Sequence, residues 1–155
     1  MVKNEDYIDA WKNYSILWKD IFKAANKAYG SINLTVLEFK VLDNLYELGP
    51  TTMIDLASLL SVTQAWVTSL IDRLEERGLV IRERSSSDRR VIFVNLTDSG
   101  RQLRAKGKAI QSKTMEEIFG VLDSSELKSF DASIKKIRSK LEKSEDPPSQ
   151  TQSPV

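Results

Sequence analysis

The feature that most constrains this chain is a change of hydrophobic period between Thr52 and Gly100. Up to Gly78 the apolar residues recur every three or four positions, as on the buried face of a helix. Beyond Gly78 they alternate, as in a strand that buries one face. The stretch therefore predicts two short helices followed by a two-stranded hairpin.

The first of these helices is predicted over residues 53–60. Thr52 fits the N-cap position, because a threonine hydroxyl accepts a hydrogen bond from a backbone N–H of the first turn. Asp55, three residues later, fits the reciprocal position of a capping box. The apolar residues crowd one side of the helix: Ile54, Leu56, Ala57, Leu59 and Leu60.

The second helix is the candidate DNA-reading element. Ser61 and Val62 form the turn before it, Thr63 fits its N-cap, and Gly78 fits the C′ position that glycine favours. Its buried face is predicted to hold Val67, Leu70, Ile71 and Leu74. Its opposite face carries Gln64, Ala65, Trp66, Thr68, Ser69, Asp72 and Arg73. Short polar side chains near a helix N-terminus suit base edges and phosphates.

The hairpin has a polar, arginine-bearing tip. Strands are predicted over residues 79–84 and 91–96, and the loop between them (SSSDRR) is longer than a two-residue turn, so it can project. Arginines at such a tip suit phosphates or a narrow minor groove. Asp88 is placed to hold Arg89 or Arg90 in a fixed orientation. The order helix, turn, helix, hairpin is that of a winged helix-turn-helix.

Two interpretations of this unit stay open on pattern alone. One is DNA binding, and the alternative is a winged-helix protein-interaction subunit of a transcription complex without specific DNA binding. Local charge favours DNA, because residues 80–113 contain nine Lys or Arg against three acidic residues in a chain whose net charge is +1.

The run LEERGLVIRERSSSDRRVIFVNLTDSG, from Leu74 to Gly100, resembles the helix end, wing and following helix of the MarR (multiple antibiotic resistance regulator) family. The likeness extends less sharply upstream through LTVLEFKVLDNLYELGP. The combination of RLEERGLV, DRR and LTDSG at this spacing is specific, whereas each piece alone is weak. The resemblance implies a homodimeric transcriptional regulator, often a repressor, that binds a pseudo-palindromic operator in double-stranded DNA.

The resemblance also implies which residues contact DNA. The wing acid and arginine of the family fall on Asp88 and Arg90. The full predicted set is Thr63, Gln64, Trp66, Thr68, Ser69, Arg73, Arg84, Asp88, Arg89 and Arg90. Two departures stand out: many members carry a basic residue in place of Ser69 and a small hydroxyl residue in place of Trp66. The Trp66 indole either contacts a thymine methyl or is buried against the neighbouring helix.

Helices are also predicted on both sides of this unit. The first, over residues 4–29, carries a wide aromatic stripe that has too little partner surface nearby and is expected to pack on a second copy of the chain. Thr35 and Glu38 fit a capping box for a helix to about residue 47. A last helix, after a capping box at Asp123 and Glu126, carries the second candidate dimer stripe: Leu127, Phe130, Ile134, Ile137 and Leu141.

Between the wing and the last helix, a long helix capped by Thr97 or Asp98 is predicted to extend to about residue 119. Its first half is basic and sparsely apolar, which is typical of a solvent-facing spacer. Gly107 within it is expected to lower helix stability by up to ~1 kcal/mol relative to alanine.

The fold class is therefore mainly α with a small β-hairpin wing. We expect one MarR-like domain over 1–143, with dimerisation helices at 1–32 and 101–143 around a DNA-binding unit at 33–100. Residues 144–155 are rich in Pro, Ser and Gln and are predicted to form a disordered C-terminal tail.

Composition excludes several functional classes. The chain has no cysteine and no histidine, so zinc sites built on them, thiol redox sensing and His-dependent catalysis are excluded. No nucleotide-binding glycine loop or nucleophile–base pair supports an enzyme, and no cofactor or metal is expected. No apolar run approaches the length of a membrane span and no signal-peptide pattern is present, so we expect a cytoplasmic protein.

A dimer presents two recognition helices, which enter successive major grooves only when spaced by about one DNA turn, ~34 Å. A ligand at the junction of the dimer helices and the winged units shifts DNA affinity by its differential affinity for the two arrangements. The resemblance implies a small aromatic effector there. Candidate lining residues are Tyr14, Trp18 and Lys19 on the first helix, or Arg90 at the wing, although such a stripe is more often core or dimer interface.

Overall fold

The computed structural model of the protein describes residues 3–88 and 90–145. In this part of the chain, helices and short strands follow one another in the order α1 (Asn4–Gly30), α2 (Val36–Leu48), β1 (Thr51–Thr52), α3 (Met53–Leu60), α4 (Gln64–Glu76), β2 (Val80–Arg84), β3 (Ile92–Leu96), α5 (Asp98–Phe119) and α6 (Ser124–Glu145). Contacts divide the chain into two compact units, Met1–Thr114 and Met115–Val155. The predicted tail lies outside the described residues from position 146 onward.

The predicted helix starts are confirmed by their capping hydrogen bonds. Thr35 and Glu38 form a capping box, in which the Glu38 N–H donates to Thr35 Oγ1 at 3.2 Å and the Thr35 N–H donates to Glu38 Oε2 at 2.7 Å. Thr52 Oγ1 accepts from the Asp55 N–H at 3.1 Å, but the capping box predicted with Asp55 does not form, since the Asp55 carboxylate accepts from the Thr52 hydroxyl at 2.7 Å. Of the two residues proposed as the cap of α5, Thr97 is the cap, since its Oγ1 accepts from the Gly100 N–H at 3.0 Å.

The sheet has one strand more than the predicted hairpin. β2 and β3 pair in antiparallel fashion, with Arg82 opposite Val94. On the other side of β3, Thr51 pairs with Val94 and Thr52 with Phe93, which gives the strand order β1-β3-β2. Two residues are too few to give a periodic sequence signal, so β1 could not be predicted from the sequence. It joins the start of the helix-turn-helix to the wing.

The core of the first unit lies between α2, α3, α4 and the sheet. The four predicted core residues of α4 are fully buried: Val67, Leu70, Ile71 and Leu74. They pack in one cluster with Val41, Leu42, Leu56, Val80 and Val94. Burial of this face fixes which side of α4 turns outward.

The apolar residues predicted to crowd one side of α3 are not all buried. Leu56 and Ala57 are buried, but Ile54 and Leu59 are 65% and 50% exposed. An eight-residue helix has room for about two turns, so only one narrow stripe reaches the core.

The first half of α5 is not the solvent-facing spacer that its composition predicted. Gly100, Gly107 and Thr114 are buried at seven-residue intervals. A Cβ atom on Gly107 would lie 2.5 Å from Phe39 Cδ2, so the helix approaches α2 at a point where only glycine fits. Arg104 Nη2 bonds Asp43 Oδ1 and Glu47 Oε1, each at 2.7 Å. Two of the basic residues that suggested solvation, Arg104 and Lys108, instead pair with acidic residues of α2.

The terminal helices leave their apolar stripes largely exposed. On α1 only Ala25 and Tyr29 are buried, while Trp11 and Trp18 are 65% and 52% exposed. In the second unit, α6 begins with the predicted capping box, in which the Glu126 N–H donates to Asp123 Oδ1 at 2.9 Å and the Asp123 N–H to Glu126 Oε2 at 2.9 Å. Ile137 on α6 is 63% exposed.

Among the described residues, no single helix is long and apolar enough to cross a membrane. Taken together, α3 and α4 meet that criterion by length and composition, but they are bent by 107° relative to one another.

Candidate nucleic-acid interface

Helix α4 presents its polar residues outward because its apolar stripe is fixed in the core. Thr63 caps it, with Oγ1 accepting from the Trp66 N–H at 3.3 Å. Gly78, beyond its end, has φ +68°, the left-handed conformation predicted for the C′ position. The predicted contact residues on this helix are all exposed: Thr63, Gln64, Trp66, Thr68, Ser69 and Arg73.

Trp66 resolves one of the alternatives left by the sequence. Its side chain is 45% exposed, so it is not buried against the neighbouring helix. The indole therefore lies on the outward surface of α4. Of the two alternatives, contact with a thymine methyl is the one compatible with this exposure.

The Arg73 guanidinium lies beside Ser69, the position at which the resemblance leads us to expect a basic residue. Its Nη1 donates to Ser69 Oγ at 3.1 Å, which brings the guanidinium back along α4 by one turn. The Glu38 carboxylate, almost fully buried, lies behind it, with Oε1 at 3.8 Å from Arg73 Nε and 3.6 Å from Arg77 Nη1. The positive charge of Arg73 thus lies near Ser69, although Arg73 is one turn further along α4.

The wing tip is ordered by its own side chains. Ser85 Oγ accepts from the backbone N–H groups of Ser87 and Asp88 at 3.2 and 3.3 Å. The Val91 N–H donates to the Asp88 carbonyl at 2.9 Å. These bonds turn the loop without glycine and set the direction of the residues that follow.

Asp88 holds Arg90 as the sequence predicted. The Arg90 backbone N–H donates to Asp88 Oδ1 at 3.0 Å, and its Nε donates to the same oxygen at 3.2 Å. The backbone hydrogen bond, and after it the side-chain hydrogen bond, lower the pKa of Asp88. The Arg90 side chain is 92% exposed, so the pair presents an oriented guanidinium to solvent.

The other two wing arginines are placed differently. Arg84 is exposed at the end of β2, opposite Ile92. Arg89 lies outside the described residues, and its predicted role stays a prediction.

The basic segment that favoured DNA binding is partly neutralised in the fold. Arg82 pairs with Asp72 and Glu75, Arg104 with Asp43 and Glu47, and Lys108 with Asp43. Counting charges along the sequence could not show these pairs, because all four of their acidic residues lie outside the counted segment. The sequence does contain a local signal that sets Arg82 apart. It is a charged residue that directly follows three apolar residues at the start of a predicted strand.

The proposed effector residues lie on the outer surface of α1. Tyr14 and Trp18 are 54% and 52% exposed, and Lys19 is exposed as well. The ring centroids of Tyr14 and Trp11 lie 5.8 Å apart, and those of Trp18 and Phe22 lie 6.3 Å apart. In a single chain these residues form an aromatic surface along one helix.

An opening of about 410 Å³ lies instead beside α4. It is lined by Gly30, Asn33, Leu34, Thr35, Glu38, Arg73, Glu76 and Arg77. Across residues 3–88 and 90–145, no group of three or more His, Cys, Asp or Glu side chains is arranged to hold a metal ion.

Comparison with known proteins agrees with this geometry. The model of the MarR family matches residues 34–92, which include α2, α3, α4 and β2. The transcriptional regulator BldR from Sulfolobus solfataricus is 28% identical with a TM-score of 0.78, over 90% of this chain and 99% of that one.

Two further solved structures share the fold at lower identity. A cysteine-to-serine mutant of MarR from E. coli, complexed with operator DNA, is 22% identical with a TM-score of 0.77, over 88% of this chain and 99% of that one. BpsR from Bordetella bronchiseptica, whose DNA binding is regulated by 6-hydroxynicotinic acid, is 23% identical with a TM-score of 0.76, over 84% of this chain and 98% of that one.

Proposed function

We propose that this chain, which matches the MarR family model over residues 34–92 and shares its fold with the transcriptional regulator BldR, is a homodimeric, sequence-specific repressor. The observation that carries the proposal is the joint exposure of the polar face of α4 and of the oriented Asp88–Arg90 pair at the wing tip. In this arrangement α4 reads base edges in the major groove. Arg90 contacts the neighbouring backbone or minor groove.

The dimer is proposed because large parts of the apolar stripes of α1 and α6 are left uncovered within the described chain. Large side chains on both helices are more than half exposed, among them Tyr7, Trp11, Ile137 and Leu141. Two-fold symmetry then presents two α4 helices to the two half-sites of a pseudo-palindromic operator.

A small aromatic carboxylate is the proposed effector. Tyr14, Trp18 and Lys19 together offer aromatic surface and one cation, and BpsR provides a precedent of the same fold. The ligand relieves repression only if it binds the DNA-free arrangement more tightly than the DNA-bound one. Benzoate should therefore weaken DNA binding of the wild-type protein and should act less on Lys19→Gln.

The central experiment measures fluorescence anisotropy on a duplex from the region upstream of the coding sequence and on a scrambled duplex of equal length. Tight binding to the first duplex alone is expected, with log K falling against log salt by about 0.9 for each phosphate contact. Arg90→Ala should weaken this binding at least about tenfold, because an exposed wing cation is lost without a change in the core.

Lys135→Ala is the matched control, since it removes one positive charge from the exposed surface of α6 and should leave DNA affinity nearly unchanged. Equal affinity for both duplexes would contradict sequence-specific recognition. Absence of binding to either at low salt would instead support the protein-interaction alternative.

A further inference from the structure

Arg82 lies on β2 but directs its side chain to the recognition helix α4. Its Nη1 donates to Glu75 Oε2 at 2.6 Å. Its Nη2 lies 2.7 Å from Asp72 Oδ1 and 3.3 Å from the Thr68 carbonyl oxygen. One guanidinium thus contacts three residues of α4.

These three partners follow the geometry of the helix. Thr68, Asp72 and Glu75 stand at positions i, i+4 and i+7, so they form a single stripe along two turns of α4. A planar guanidinium with donors in a fixed fork can bridge such a stripe, whereas a lysine ammonium acts as a point charge. The contact therefore restrains both the rotation of α4 and its distance from the strand.

The backbone of β2 takes part in the same contact. The Arg82 N–H donates to Glu75 Oε1 at 2.9 Å. β2 is an edge strand that pairs with β3. Glu75 therefore accepts a hydrogen bond from a backbone N–H on the edge of β2 that β3 leaves unpaired. Glu75 thus accepts from the Arg82 backbone with Oε1 and from the Arg82 side chain with Oε2.

From these contacts we infer that Arg82 is a positioning residue, which fixes the wing to the recognition helix and does not contact phosphate. Its side chain is 22% exposed and both of its terminal nitrogens are engaged. The inference rests on the proposed DNA-binding function. It adds that the orientation of β2 relative to α4 determines whether the recognition helix and the wing can contact DNA together.

Neutralising an acidic partner of Arg82 tests the inference, because the inference and simple charge repulsion predict opposite changes in DNA affinity. Asp72 and Glu75 place negative charge on a helix proposed to approach DNA, and their side chains are 58% and 37% exposed. If these acids only repelled phosphate, neutralising one of them would raise DNA affinity. If Glu75 holds the wing in place, neutralising it lowers affinity although the protein becomes more positive.

The experiment compares Glu75→Gln with Glu76→Gln, its neighbour on the exposed surface of α4, in the full-length protein. Both changes raise net charge by one. Binding to the upstream duplex is measured by anisotropy at a temperature where circular dichroism shows every variant fully folded. We expect Glu75→Gln to weaken binding at least about fivefold and Glu76→Gln to leave it equal or tighter.

Arg82→Lys provides a second arm without any change of charge. A direct phosphate contact would largely survive this substitution, because lysine also binds phosphate. A bridging contact would not, so we expect a loss of affinity similar to that of Glu75→Gln. Wild-type affinity in either Glu75→Gln or Arg82→Lys, or equal weakening by Glu76→Gln, would overturn the inference.

Hydrogen exchange of the Arg82 amide separates this inference from the proposed function, because it needs no DNA. Protection should fall at least about tenfold in Glu75→Ala, which removes the acceptor oxygen, and stay at the wild-type level in Glu76→Ala. If the wild-type protein binds no duplex, the proposed function fails. In that case unchanged Arg82 exchange in Glu75→Ala would also overturn the strand-to-helix link.

Discussion

At the scale of single residues, Tyr29 links the core to the pH of the solvent. Its side chain is 4% exposed, and its ring stacks on Phe39 at a centroid distance of 4.7 Å. Burial, and after it the nearby Asp43 carboxylate, raise the pKa of Tyr29 to about 12. The folded chain therefore keeps this phenol protonated at pH values where an unfolded chain loses the proton.

The sign of the resulting pH dependence follows from proton binding. Between pH 10 and 12 the folded state binds more protons than the unfolded state, so the free energy of unfolding falls as pH rises. A difference of about two pKa units corresponds to roughly 2–3 kcal/mol over the whole window. Tyr29→Phe should remove this part of the loss.

Urea unfolding at pH 9 and pH 11, at one fixed protein concentration, measures the effect. Between these pH values the wild-type protein should lose on the order of 1 kcal/mol more stability than Tyr29→Phe. Tyr14→Phe, on the exposed surface of α1, is the matched control and should retain the wild-type dependence. A parallel decline of wild type and Tyr29→Phe would contradict the assignment.

Residue-scale features were predictable from the sequence where both partners lie within one turn. The capping pairs Thr35–Glu38 and Asp123–Glu126, and the Asp88–Arg90 pair, all join residues two or three positions apart. Arg82 was not predicted, because its acidic partners lie seven and ten positions away on another element.

At the scale of secondary structure elements, Gly107 shows how packing overrides helix propensity. Replacing glycine by alanine in an exposed helix stabilises it by about 1 kcal/mol. Here the added methyl group would meet Phe39 Cδ2 at 2.5 Å and Cε2 at 2.7 Å. Phe39 is 1% exposed and cannot move aside easily.

Gly107→Ala should therefore lower the free energy of unfolding by about 1–3 kcal/mol, as overpacked cores do. Urea titration of the variant tests this. In a Phe39→Leu background the same substitution should cost less, and the difference between the two backgrounds measures the coupling of α2 to α5. A stabilised single variant would show that propensity prevails and that the two helices separate easily.

The sequence predicted the helices of the first unit better than their contacts. Period and capping located α4 and its buried face, since these signals are local. The exposure of Ile54 and Leu59 on α3 was not predicted, and the solvent-facing role predicted for the first half of α5 was wrong. Both depend on neighbours that are distant in sequence, as Phe39 is from Gly107. A count of charged residues cannot distinguish a solvated arginine from Arg104, which is bonded to α2.

At the scale of the whole molecule, the proposed dimer makes the exposed stripes of α1 and α6 the interface. Trp11→Glu and Ile137→Glu place a charge within these stripes, at positions that are 65% and 63% exposed in the single chain. Each variant should convert a dimer into a folded monomer, because a desolvated carboxylate is costly at an interface while the core of the chain stays intact.

Sedimentation equilibrium together with circular dichroism distinguishes dissociation from unfolding. Leu59→Glu is the matched control, since Leu59 is 50% exposed but lies on α3, outside both stripes. It should remain a dimer. A monomeric wild-type protein, or variants that stay dimeric, would rule out these stripes as the interface.

The seven-residue spacing of Gly100, Gly107 and Thr114 also limits how the length of α5 can change during evolution. One inserted residue rotates everything beyond it by about 100° around the helix axis, which would move the next buried position out of phase. Seven inserted residues leave the phase within about 20°. A change of length between these buried positions should therefore disrupt the packing of α5 whenever it fails to keep this angular phase.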